Sequence, residues 1–243
     1  MEIGRTIIHL NVVDSTNNYT ANLVKGGEID SGTVILADNQ TDGRGQRHAK
    51  WSVKPGENLT FSLYLDNVNL SVDRQFVMTQ FVSLCLVELL TRFGLEPIIK
   101  WPNDIYCSGK KISGVLIENQ LMGKFIKSSI VGIGVNLNQE EFDGFIATST
   151  YVESGKYRKP IDVVHSFCAL YTEQWNKYMA SDFVRLNEDY LSRLYRLNIE
   201  SNYSDESGDF VGVIRNVLDS GKLVVEINGK LRDYELKEIQ FKP

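Results

Sequence analysis

Residues 6–13 read Thr-Ile-Ile-His-Leu-Asn-Val-Val and stop at Asp14-Ser15-Thr16. A β-branched run ending in short polar side chains predicts a strand and then a helix N-cap. That helix ends at Gly26-Gly27, and a short apolar strand follows over 33–37. Residues 38–50 carry no hydrophobic period. Alternation resumes at 58–65, where Leu59, Phe61, Leu63 and Leu65 share one strand face. Ser71 is placed to cap a long helix to about residue 93, with an apolar stripe of Phe76, Val77, Phe81, Leu84, Val87 and Leu90 and a stop at Gly94. Strands follow at 98–101, 112–118 and 129–136. Helices follow at about 160–179, with Pro160 in the first turn, and about 182–195. Past residue 198 the pattern changes to short strands, 209–215, 222–227, 231–235 and 238–241, split by Asp219-Ser220-Gly221 and Asn228-Gly229. Asn-Gly between two strands is a strong hairpin signal. The expected fold class is α+β, with a larger mixed domain over 1–197 and a small β-barrel over 198–243.

Composition narrows the possibilities. At 243 residues with 42% hydrophobic side chains, the chain is large enough for a sizeable core. Its 26 basic and 31 acidic residues give a net charge of −5, so no bulk electrostatic attraction to nucleic acid is expected. Cys85, Cys107 and Cys168 are scattered and odd in number, which fits a reducing compartment without disulfides or a structural zinc. The longest uncharged stretch, 75–87, is 13 residues, against roughly 20 for a membrane span. A soluble cytoplasmic protein, without a membrane partner, is expected.

Common catalytic motifs fail. No Gly-Lys pair completes a P-loop, Gly132-Ile133-Gly134 lacks the third glycine of a dinucleotide fingerprint, and three isolated histidines suggest neither a metal cluster nor a triad. Four segments remain. Thr41 to Trp51 (TDGRGQRHAKW) has two glycines that let backbone approach a ligand, and it concentrates Arg44, Arg47 and Lys50. Guanidinium forks beside open N–H groups suit a polyphosphate, although composition alone also describes a solvated loop. Lys100-Trp101-Pro102-Asn103-Asp104 ends a strand with an ammonium, an amide and a carboxylate, or is simply a turn. In Lys110 to Glu118, Gly114 opens a gap beside Lys111 where a ligand or a bulge fits equally well. Gly132 to Asn138 is a strand lacking two side chains, explained as well by sheet packing as by a groove.

Taken together and in order, Gly-Arg-Gly before a tryptophan, Lys-Trp-Pro-Asn-Asp, Lys-x-x-Gly-x-Leu and Gly-x-Gly-x-Asn closely resemble the biotin–protein ligases. Asp14-Ser15-Thr16-Asn17 and Gln40 agree. The resemblance implies a class II aminoacyl-tRNA synthetase-like mixed sheet with a C-terminal SH3-like barrel. It also implies synthesis of biotinyl-5′-AMP from biotin and MgATP, then transfer of biotin to a lysine of a carboxyl-carrier protein. On that resemblance Ser15, Thr16, Asn17 and Gln40 meet the biotin head group, and Arg44, Gly45, Gln46, Lys111 and Gly114 complete the biotin site. Gly43, Arg47, Trp51, Lys100, Asn103 and Asn136 serve ATP. Lys111 and Arg44 are the catalytic cations, and Mg²⁺ comes on the ATP phosphates with no protein ligand assigned. The 41–50 loop is expected to fold over the adenylate and keep water from it.

Two departures from the family pattern stand out. Gln46 and Ala49 occupy positions where many relatives are basic, and His48 one where many have glycine. Only 13 residues precede Asp14, no room for a helix-turn-helix domain, so a monofunctional ligase without a DNA partner is expected. Monomer and homodimer both remain open, as does the role of the barrel. The rival readings are a lipoate–protein ligase or octanoyl transferase, which shares the fold, and a non-catalytic biotin sensor.

Overall fold

The computed structural model describes residues 2–46, 49–52, 54–179 and 183–243. Seven strands form the first sheet: β1 (Ile7–Val13), β2 (Val34–Gln40), β3 (Leu59–Ser71), β4 (Ile98–Lys100), β5 (Asp104–Cys107), β6 (Lys110–Met122) and β7 (Phe125–Val135). Their order is β1-β2-β3-β7-β6-β5-β4, parallel between β1 and β2 and antiparallel elsewhere. The helices are α1 (Thr16–Gly26), α2 (Phe76–Arg92), α3 (Thr150–Ser154), α4 (Pro160–Met179) and α5 (Val184–Ser192). A second, antiparallel sheet holds β8 (Glu200–Asp205), β9 (Gly208–Val217), β10 (Leu223–Ile227), β11 (Lys230–Tyr234) and β12 (Gln240–Phe241). This is the mixed α+β arrangement the patterning predicts, and among the described residues no helix is long and apolar enough to cross a membrane.

The strand period of two assigns the two faces of the first sheet. Along β3, Phe61 points to the helical layer and meets Phe167 of α4 edge-on at 5.3 Å, whereas Ser62 points to α1 on the opposite face. α2 lies inside the helical layer with thirteen of its residues buried, Gln80 and Ser83 among them, so it is buried nearly all round and not merely along a stripe. Gln80 is kept satisfied there by Asn187 of α5, 2.8 Å away. The three cysteines are free and buried, and burial pushes the Cys107 and Cys168 thiols up to about 12.

Several boundaries differ from the sequence expectation. Ser71 does not begin one continuous helix: residues 72–74 form a 3₁₀ turn, and the α-helix starts at Phe76. β5, α3 and β8 carry too few periodic apolar positions to announce themselves; β8 buries only Tyr203 and Ser204. Asn228-Gly229 does turn a hairpin, with φ of 50° and 75°, the positive pair that a type I′ turn requires.

The second sheet is attached through the Lys-Trp-Pro-Asn-Asp turn. Trp101 Nε1 donates to the Gly221 carbonyl at 2.9 Å, and Tyr190 Oη donates to the Pro102 carbonyl at 2.8 Å. Gly221 sits at φ +90°, and a Cβ there would stand 2.7 Å from the Phe76 ring. Gly221→Ala should therefore cost about 2–4 kcal/mol, from the left-handed backbone and the overlap together. Gly229→Ala, also at positive φ but with nothing within 4 Å, should cost only the backbone part. Urea unfolding midpoints of the two variants check this; equal losses would mean that the Phe76 contact carries no weight.

Candidate functional site

The register between β1 and β2 sets Val13 opposite Gln40, so the end of β2 lies beside the start of α1. Ser15 occupies the N-cap position with extended backbone, yet its side chain makes no capping bond. Gln40 Oε1 takes that part instead, accepting from Thr16 N at 2.8 Å and Thr16 Oγ1 at 3.1 Å. The Ser15 side chain is thus left to line a cavity. From Thr16 the polar contacts continue: Ser62 Oγ lies 2.7 Å from Thr16 Oγ1 and 2.6 Å from Asn17 Oδ1. Asn17 Nδ2 donates to Glu118 Oε2 at 2.7 Å.

The glycine-rich flap folds back on itself. Trp51 N donates to the Gly43 carbonyl at 2.9 Å, Gly45 N to the Ala49 carbonyl at 2.6 Å, and Arg44 and Lys50 pair as an antiparallel bridge. A Cβ on Gly43 would strike the Trp51 carbonyl, so this close return requires glycine. Arg44 Nη2 contacts both Glu118 oxygens, at 2.7 and 3.0 Å; its Nε and Nη1 have no partner among the described residues. Those N–H donors can take an anion.

The glycines of β6 and β7 act as seats. A Cβ on Gly132 would collide with the Asn17 amide, and one on Gly134 with the Trp51 indole. At Gly114 a Cβ would stand 3.3 Å from Lys111 Cε, so the open position holds the lysine chain. Lys111 Nζ is 2.6 Å from Asp104 Oδ1 and 5.8 Å from the centre of the Trp51 ring. Its backbone is held by residues 146–148, with Lys111 N donating to Ile146 O and Thr148 N to Lys111 O. The Trp51 Nε1–H is buried with no partner among the described residues, which leaves a donor for a ligand atom.

These groups enclose a cavity of about 250 Å³. Ser15, Thr16, Asn17, Gln40, Arg44, Gly45, Gln46, Trp51, Asn103, Lys111 and Gly114 all line it. Three of the expected site residues do not. Gly43 shapes the flap from behind. Lys100 projects elsewhere, over the rings of Tyr106 at 5.0 Å and Phe241 at 5.3 Å, where burial lowers its pKa against the opposing pull of Asp104. Asn136 is buried and donates to the Thr148 carbonyl at 3.0 Å, so it anchors the segment beside Lys111. Arg47, like His48, lies outside the described residues.

Other residues, to which the sequence pattern assigns no ligand, join the site. Glu118 and Asp104 hold the two cations, and Ser62 links Thr16 to Asn17. Glu118 shares strand parity with Gly114 and Leu116, a signal present in the alternation. Leu236 and Lys237, in the turn between β11 and β12, complete the wall from the second sheet, and only tertiary packing could bring them there. Cations therefore converge from three directions in an acidic chain: the flap, β6 and the second sheet.

Comparison with known proteins points to one family and one fold. Residues 9–136, more than half the chain, match the biotin/lipoate A/B protein ligase family. The bifunctional ligase/repressor BirA of Bacillus spizizenii is 30% identical over 98% of this chain and 75% of its own. The biotin–[acetyl-CoA-carboxylase] ligase of Paracoccus denitrificans is 27% identical over 87% of this chain and 90% of its own. Among solved structures, a biotin protein ligase from Aquifex aeolicus in complex with biotin and ATP superposes with a TM-score of 0.76 at 29% identity, covering 98% of this chain and 99% of that one.

Gly134→Ala should push the Trp51 ring off β7. The expected readout is a red shift of tryptophan emission that disappears in a Trp51→Phe background; an unshifted spectrum would mean that the ring does not rest on Gly134.

Proposed function

The chain belongs to the biotin/lipoate A/B protein ligase family, and from that membership we propose that it is a biotin–[biotin carboxyl-carrier protein] ligase. It activates biotin with ATP as biotinyl-5′-AMP and passes the biotinyl group to a lysine of the carrier protein of acetyl-CoA carboxylase or a related carboxylase. The observation that supports this most is that Lys111 and Arg44, the latter with Nε and Nη1 unpaired among the described residues, line one cavity. The first step drives a carboxylate against an anionic α-phosphate, and two positioned cations lower the cost of that approach.

In that step a biotin carboxylate oxygen attacks the α-phosphorus, the bond to pyrophosphate breaks, and a mixed anhydride forms. Lys111 spans the carboxylate and the phosphate oxygens while Arg44 holds the second anion. In the next step the acceptor amine attacks the anhydride carbonyl, AMP leaves with the anhydride oxygen, and the amine's proton passes to solvent. No protein nucleophile is required. Mg²⁺ travels with the ATP phosphates; among the described residues no group of three His, Cys, Asp or Glu side chains gathers as a metal centre.

Biotin is favoured over a lipoyl substrate by the polar end of the cavity. A ureido ring presents two N–H donors and a carbonyl, which Ser15, Thr16, Asn17 and Gln40 can match, whereas a dithiolane presents none. Trp51 is the candidate platform for adenine, with Asn103 close by. Residues 1–197 would be the catalytic domain and 198–243 a C-terminal unit that contributes Leu236 and Lys237 to the cavity. We place the enzyme in the cytoplasm, consistent with three free thiols, and assign it no DNA partner, given its net charge of −5.

Incubation with biotin, MgATP and an apo-carrier domain should release pyrophosphate and label one carrier lysine on a streptavidin blot, with lipoate giving neither. Lys111→Ala should reduce pyrophosphate release by at least a hundredfold, the scale of a lost electrostatic group at a reacting centre; a wild-type rate would remove Lys111 from the chemistry. Trypsin cleavage after Arg44 and Lys50 should slow when biotin and ATP are both present. Unchanged cleavage would show that the flap does not cover the adenylate.

A further inference from the structure

Glu118 joins two residues of the cavity wall, Asn17 and Arg44, and the proposed chemistry gives it no task. It lies on β6. Asn17, from the first turn of α1, donates to its Oε2 at 2.7 Å; Arg44, from the flap, reaches the same oxygen at 2.7 Å and Oε1 at 3.0 Å. Asn17 is itself tied through Ser62 and Thr16 to Gln40. One carboxylate thus closes a continuous path of hydrogen bonds from the polar end of the cavity to the flap cation.

We infer that Glu118 is a positioning residue that couples engagement of biotin at Asn17 to the aim of Arg44 at the anionic groups. The inference rests on the proposed function. Its physical basis is ordering. Arg44 is a long side chain on a glycine-flanked segment, about two-fifths exposed, so without a partner it samples many rotamers. Glu118 engages Nη2 alone, so the Nε–H and Nη1–H donors keep no partner among the described residues. The Glu118 carboxylate is in turn steadied by Asn17, whose position is confined by the open space at Gly132. A ligand that immobilises Asn17 also narrows the range of Glu118 and hence of Arg44. The second, anionic ligand then has less disorder to remove and binds more tightly, and linkage makes the effect reciprocal.

The test is the dissociation constant of biotin measured by titration calorimetry with and without a non-hydrolysable ATP analogue. In the wild type the analogue should tighten biotin by about tenfold, within the usual span of such coupling. In Glu118→Gln, which keeps an acceptor for Asn17 but loses the charge that orients Arg44, that factor should fall close to one while biotin alone binds within about threefold of wild type. Asn17→Ser cuts the same path from the other side and should also abolish the factor. In an Arg44→Ala background, Glu118→Gln should leave the KM for ATP unchanged, because a residue acting through Arg44 has nothing left to aim. A merely structural Glu118 would lower the melting temperature and leave the factor intact. A preserved factor in both variants, additive effects with Arg44→Ala, or a wild type without coupling would each overturn the inference. If the wild type binds neither biotin nor the analogue, the proposed function fails instead.

Discussion

Arg44 and Lys111 each keep a carboxylate, at 2.7 and 2.6 Å, and the rest of the site governs what those cations can still reach. Neither pair is deeply buried, with side chains about a third to two-fifths exposed, so each contributes about 0–1 kcal/mol to stability. Stability is therefore a poor explanation for their presence. Orientation is a better one. A guanidinium held by one terminal nitrogen keeps its other N–H donors, and an ammonium held by one oxygen keeps donors to spare.

Holding long cationic chains over a sheet needs space, and the sheet supplies it by omission. Gly114 leaves room for the Lys111 chain, Gly132 for Asn17 and Gly134 for Trp51. The side chains that occupy these spaces come from α1, the flap and β6 itself, so three missing methyl groups bring distant segments into contact. The opposite face of the same sheet is filled conventionally, as Phe61 of β3 against Phe167 illustrates. One face of the sheet is core and the other is a binding floor.

The second sheet is part of this arrangement. Trp101, in the most distinctive motif of the chain, bonds to Gly221, and the same turn is held by Tyr190 of α5. The neighbouring Asp104 meets Lys111. A displacement of the second sheet would thus act on the carboxylate that holds the central lysine, and it would remove Leu236 and Lys237 from the cavity wall.

Much of this could be read along the chain. Alternation at Leu59, Phe61, Leu63 and Leu65, the Gly-Gly stop after α1, and the Asn228-Gly229 turn are local signals, written in φ preferences and side-chain periods that need no partner. The ordered set of motifs likewise points to the flap, Lys111 and the polar residues that begin α1, which the fold brings to one cavity. Lys100 and Asn136 lie outside the cavity lining, since a motif records which residues occur together and not the direction in which each side chain leaves the backbone. Lys100 turned to aromatic rings and Asn136 to a loop carbonyl. The polar run at 14–16 marks the helix start, but only strand register shows that Gln40, and not the Ser15 side chain, accepts from Thr16 N. Local sequence determined the elements and the chemical inventory, since those depend on neighbours within a few residues. Only the tertiary structure decided that Glu118 joins Asn17 to Arg44 and that a turn near the C-terminus walls the cavity, because contacts across about a hundred residues are set by packing of whole faces.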